Sequence, residues 1–252
     1  MITTKNPVRR LLPLTAAFAA VYGVLRLIPI SVWIGASTRV FTATEFFAPL
    51  LGTVLGPYAG SVAAAIGTFL GIALTGRMNF FGLDFLPIMV NALVLGFLVR
   101  ERRIASFLLY SGLLALYFVH PSTLHFISVP LPNAPVLVPF VWLHIGVWLL
   151  LASPVATRSA EWAFGRSASV AAIGTFVLVL IGGTAQHLAG TLLFASMAVP
   201  LMGLTPKALQ TTWTVVFYVY PVERLVVALA ATTVTLSTIR VLRISRLLDI
   251  LR

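Results

Sequence analysis

The residues able to do chemistry are few and scattered. Six acidic side chains stand at positions 45, 84, 101, 161, 223 and 249, and four histidines at 120, 125, 144 and 187. No two of the acids are spaced as an acid–base pair, so only the fold could bring carboxylates together. Glu223 and Arg224 are neighbours. On a helix, adjacent residues point about 100° apart, which predicts separate partners for them. Glu45 is the single charge in Phe41–Gly71. It suits either an ion pair with Arg26 or Arg224 or a contact to a bound molecule. The histidines have irregular spacing and apolar flanks, which does not describe a metal-ligand set. With no cysteine in the chain, disulfides, iron–sulfur clusters and thiol nucleophiles are excluded. The two lysines, Lys5 and Lys207, lie outside any G-x-x-x-x-G-K-[ST] loop, and neither H-E-x-x-H nor G-x-S-x-G occurs. The chemistry on offer is recognition. No catalytic residue, metal or cofactor is expected.

The elements that must position these groups are set by composition. Of 252 residues, 60% are hydrophobic and 9% charged, where soluble domains carry about 25% charge. That describes a polytopic, all-α membrane protein. The net charge of +11 needs no nucleic-acid partner, because cytoplasmic loops of membrane proteins collect Lys and Arg. The N-terminus has the basic-then-apolar order of a secretory signal, but its apolar stretch runs on to Ile30, which predicts a retained first span.

A span needs about 20 apolar residues. The runs predict about eight transmembrane helices, near 11–29, 42–56, 58–75, 81–99, 104–119, 136–156, 169–198 and 211–240. The second is short and contains Pro49, which predicts a break, a tilt or a re-entrant path. Eight spans place Lys5, Arg9, Arg10, Arg100, Arg102, Arg103, Arg158, Arg166, Arg240, Arg243, Arg246 and Arg252 on one side, against Arg39, Arg77 and Lys207 on the other. The positive-inside rule then puts both termini in the cytoplasm of a cell-membrane protein. The proline-rich segment 120–135 reads as irregular chain on the outer surface.

With that orientation, the polar groups at depth are one-sided. Arg26, Arg39, Glu45, Arg77, Asp84, Asn91, Gln186, His187, Glu223 and Arg224, with His120, His125 and His144, fall at the outer surface or in the outer half. A charge near the bilayer centre costs about 3 kcal/mol, so such groups have a reason to be there. The pattern describes a pocket open outward and closed inward. Arg26 and Arg39 could equally snorkel to the interface, and Trp213, Tyr218 and Tyr220 read as interface-belt aromatics more readily than as a stacking platform. Ala16, Ala20 and Gly23 form one small-residue stripe, and Gly60, Ala64, Gly67 and Gly71 a second. Either stripe suits close helix packing, inside the chain or against another subunit.

The stretch "ATEFFAPLLGTVLGPYAGSVAAAIGTFLG" (43–71) resembles the second and third helices of the substrate-binding S components of energy-coupling factor (ECF) transporters, which close a hairpin on L-G-P-x-x-G before a Gly/Ala-rich helix. "AAFAAVYG" (16–23) is similar to that family's small-residue motif. "LPIMVNALVLGFLVRERR" (86–103) is similar to its fourth helix, and "YPVERLVVALAATTVTLSTIRVLR" (220–243) to its last. The resemblance covers about two thirds of the chain. It implies a single transmembrane domain with a six-helix core, about 11–99 and 169–240, and an inserted helix pair within 104–156. Here the pair after the last-helix proline is Glu223-Arg224 where the family often has lysine. Ile2 stands where metal-specific members carry histidine, which makes nickel or cobalt a poor expectation.

The resemblance further implies capture of a small, vitamin-like solute from outside, with a transmembrane T subunit and ATPase subunits as partners beside the lipid bilayer. Glu45, Asn91, Gln186, His187, Glu223 and Arg224 are the expected substrate-binding residues, and Ala16, Ala20 and Gly23 the expected partner face. Two other readings stay open. One is a membrane enzyme on a lipid or isoprenoid, with His187, Glu45 and Asp84 as acid–base groups. The other is a structural subunit without a ligand. The solute itself is not named by the residues, since the arginines suit an anion and the glutamates an amine or hydroxyls.

Overall fold

The computed structural model describes residues 7–33 and 36–245, with side chains over 11–30 and 41–245. Ile2 and the side chains of Lys5, Arg9, Arg10, Arg39, Arg246 and Arg252, all used in the reading above, lie outside the described residues.

The described chain runs α1 (Pro7–Leu25), β1 (Pro29–Trp33), β2 (Ala36–Thr42), α2 (Thr44–Leu55), α3 (Pro57–Thr75), α4 (Phe85–Val99) and α5 (Arg103–Val119). It continues with β3 (Phe126–Val129), β4 (Val136–Pro139), α6 (Trp142–Ala152), α7 (Pro154–Ala163), α8 (Ala168–Ala198) and α9 (Pro206–Ile244). The fold is helical, with two antiparallel two-stranded hairpins. By length and composition α3, α8 and α9 can cross a membrane; the other apolar helices are shorter, at 10 to 17 residues.

Local chemistry explains the joints. Gly56 takes a left-handed φ of 82° and Pro57 starts α3. Glycine makes that conformation free of a Cβ clash, and proline supplies a ready-made first helical φ. Pro49 does not break α2, which runs continuously from Thr44 to Leu55. It sits early in the helix, where its missing N–H frees only the Glu45 carbonyl. The expected helix over 136–156 is divided instead. Its first residues extend as β4, paired with β3, so segment 120–135 is partly a hairpin arm. Its end is cut at Ser153, whose Oγ caps the Val155 N–H as Pro154 opens α7.

Packing makes a small cluster of Val179, Ala228 and Ala231 and two large apolar cores. One joins α1, α2, α3, the inner face of α4 and the end of α9, including Tyr22, Leu50, Leu51, Ala63 and Ile239. The other joins α4, α5, α6, α8 and the start of α9, including Tyr110, Phe140, Leu178 and Trp213. The α3 stripe serves the first core. A Cβ at Gly67 would stand 2.6 Å from the Ala19 carbonyl oxygen of α1, well inside van der Waals contact. Only glycine lets those backbones meet, and dispersion acts over that close face.

Candidate functional site

Between the two cores lies a cavity of about 310 Å³. Its walls come from α1 (Tyr22) and the turn after it (Arg26), the end of β2 and start of α2 (Phe41, Thr44, Glu45), the loop after α3 (Arg77, Asn79, Phe80, Asp84), α8 (Gln186 to Phe194) and α9 (Thr212 to Arg224). Residues distant in sequence meet here because α8 and α9 close against the α1–α4 group.

One charged cluster sits at the α1–α4 wall. Arg26 Nη2 donates to Asp84 Oδ1 at 3.1 Å and to the Arg77 carbonyl at 3.3 Å. Backbone N–H groups of Asn79 and Phe80 donate to Asp84 Oδ1 and Oδ2 at 2.8 and 2.9 Å. Both Asp84 oxygens are thus engaged, and the side chain ties the α3–α4 loop to α1. These contacts hold it in the scaffold of the α3–α4 loop, and it also lines the cavity. Arg26 faces the cavity and its side chain is only 10% exposed, so it does not snorkel away.

The second cluster is a chain of side chains from four helices. Asn91 Nδ2 donates to Gln186 Oε1 at 2.8 Å, and Gln186 Nε2 donates to Glu45 Oε1 at 2.9 Å. Arg224 Nη1 donates to Glu45 Oε2 at 3.1 Å. Arg224 Nη2 also lies 3.3 Å from Glu223 Oε1. That overturns the expectation that neighbours Glu223 and Arg224 take wholly separate partners. The 100° offset separates their Cβ directions, but two long side chains curl back toward each other. The geometry is an ion pair without a well-aimed hydrogen bond: Arg224 Nη2 and Nε, both buried, make no hydrogen bond with the described residues, and neither does Asn91 Oδ1. Phe41 lies over the guanidinium, 5.0 Å from its carbon to the ring centre.

The third group is aromatic. His187 and His144 are stacked, with Nδ1 of the first 3.1 Å from Nε2 of the second. His187 also stacks on Tyr220, with centroids 5.2 Å apart and planes at 13°. Tyr220 donates to the Phe140 carbonyl at 2.8 Å, and Trp213 to the Ser122 carbonyl at 2.9 Å. Trp213 and Tyr220 are buried inside the protein, against the interface-belt reading; Tyr218, which is exposed, keeps it. His120 pairs with Ser196 and His125 packs near Tyr117 and Phe118, so they are not part of the cavity.

The structure therefore brings Glu45, Gln186, His187, Glu223 and Arg224 to one cavity, with Asn91 directly behind Gln186. Sequence reasoning missed Tyr22, Phe41, Thr44, Phe80 and Phe194, which carry no charge or motif to mark them. The α1 stripe divides. Ala16 and Ala20 are exposed, whereas Gly23 is buried against Leu70 of α3, where a Cβ would meet its Cδ2 at 2.8 Å. No protein-family model, curated protein or solved structure matches the chain.

Proposed function

We propose that this chain is the solute-binding S component of an ECF-type importer, held in the cell membrane by about eight spans with both termini in the cytoplasm. The observation that carries the proposal is the cavity. It is of a size for a small organic molecule, it lies inside a helical bundle, and it collects charges that a bilayer would otherwise exclude. Binding there is recognition: hydrogen bonds and charge contacts from Glu45, Gln186, His187, Glu223 and Arg224, with aromatic rings supplying the apolar wall. Energy would come from partner ATPases through a T subunit, since the chain has no phosphate-cradling loop of the P-loop kind. Three of the described helices are long and apolar enough to span; the remaining crossings would be made by the shorter apolar helices packed beside them.

The exposed part of the α1 stripe is the proposed partner face. Ala16 and Ala20 let a second helix approach, while Gly23 serves internal packing. Affinity purification from native membranes tests the proposal. It should recover ATPase and T subunits together with a retained small molecule. Ala20→Trp should abolish recovery of the partners and leave the retained molecule in place. Partner recovery undiminished by Ala20→Trp would refute the face, and a pure protein with neither partners nor small molecule would refute the function.

A further inference from the structure

Among the described residues three arginines and three carboxylates line the cavity, but they are not paired one to one. Arg26 is matched by Asp84. Arg224 alone serves both Glu45 and Glu223. Exposed Arg77 makes no ion pair with the described residues, so it does not restore the balance. Glu45 spends both oxygens, on Gln186 and on Arg224. Glu223 has one oxygen near Arg224 Nη2, contacts no other cation among the described residues, and keeps a side chain 26% exposed on the cavity wall. Among the described residues the Glu45–Arg224–Glu223 group is one positive charge short. In a bundle of low polarity an uncompensated carboxylate is costly, and a cation beside it is strongly favoured. The cavity is also lined by Trp213, Tyr220, Phe194 and Phe80, and aromatic faces attract cations as well.

Resting on the solute-binding reading above, we propose that the ligand of this cavity carries a cationic nitrogen that docks on Glu223, on a small frame that packs against the Tyr220 and Trp213 side of the pocket. An ammonium, an amidinium or a charged ring nitrogen would serve. The ligand supplies the missing charge, and Glu223 selects it against neutral and anionic molecules of equal size.

The experiment uses the full-length protein in mild detergent. Native mass spectrometry identifies the compound retained from the membrane. Thermal shift then compares three matched probes: 2-phenylethylamine (cationic at pH 7), 2-phenylethanol and 3-phenylpropionate. The expected result is a retained compound with a cationic nitrogen and stabilisation by the amine alone. Glu223→Gln, which is nearly isosteric, should weaken the amine at least tenfold and erase its advantage over the alcohol. A retained compound that is neutral or anionic, or a preference for the alcohol or the acid, overturns the inference and leaves the solute-binding reading standing. A cationic compound held equally well by Glu223→Gln overturns the assignment to Glu223. A protein that retains nothing and responds to none of the probes overturns the solute-binding reading and this inference together. The wild-type preference is measured without any variant, so misfolding of Glu223→Gln cannot shelter the proposal.

Discussion

The two charged clusters on the cavity wall are built from the same residue types and behave as opposites. Arg26–Asp84 is closed: one acid meets one base, and two backbone N–H groups complete the carboxylate. Glu45–Arg224–Glu223 is open: two acids share one base, and two buried guanidinium nitrogens are left without hydrogen bonds to the described residues. A closed cluster is fixed by its own contacts and has nothing left for a ligand. An open one holds unspent interaction energy, which buried polar groups rarely tolerate without purpose. The closed cluster anchors a loop to a helix, and the open one faces α2, α8 and α9 at once. The difference in saturation separates scaffold from candidate site among residues that look alike in the sequence.

The comparison breaks most readily at Arg224. Arg224→Leu strands two carboxylates without a counter-charge, and losing one member of a buried ion pair costs about 3 to 5 kcal/mol. The expected outcome is a large drop in thermal stability in detergent and complete loss of the retained molecule. Unchanged stability would mean that Glu45 and Glu223 are not held by this arginine. Asp84→Asn attacks the closed cluster and should be milder, about 2 kcal/mol, because the amide that replaces the carboxylate keeps an acceptor for one backbone N–H and Arg26 keeps the Arg77 carbonyl. Stability should fall while affinity for the retained molecule stays within a few-fold of wild type, read by denaturation and by native mass spectrometry. A large loss of affinity at normal stability would move Asp84 into the binding site and erase the distinction between the clusters.

How much of this was legible in the sequence follows from which forces act locally. Apolar runs bounded by Gly56-Pro57, Gly76 and the Arg100–Arg103 charges fix α3, α4 and α5 to within a few residues, because lipid-compatible length and turn chemistry are local. The β1–β2 and β3–β4 hairpins were not visible. Their strands are four to seven residues long and sit inside a generally apolar chain, where an alternating pattern has no polar background to stand against. Charged residues within long apolar runs advertised the cavity, since polarity in such runs is rare. Arg26 and Arg224 could both be named as partners for Glu45, but the choice between them could not be read, because pairing Glu45 with Arg224 across 179 residues is decided by how α9 closes on α2. The buried roles of Trp213 and Tyr220 were hidden for the same reason: an aromatic side chain looks identical at an interface and in a core.

The smallest effect expected is at Phe41, and it tests whether the open cluster is covered. Phe41 lies near the end of β2, within the β1–β2 hairpin, and its ring lies over the Arg224 guanidinium at 5.0 Å. A cation over an aromatic face is worth about 0.5–1 kcal/mol where exposed and about 2 kcal/mol when desolvated. Phe41→Leu keeps apolar volume and removes the π face, so it should lower stability by about 1 kcal/mol without disturbing the Glu45–Arg224 bond. The ring also shields one side of a cluster short of positive charge. Its loss admits water there, which weakens the attraction of Glu223 for a cation by raising the local polarity. The expected outcome is a few-fold faster loss of the retained molecule, measured as a half-life during dilution, with equilibrium stability lowered by no more than about 1 kcal/mol. An unchanged half-life would mean that the ring only packs, and that the cavity is sealed by its helices alone.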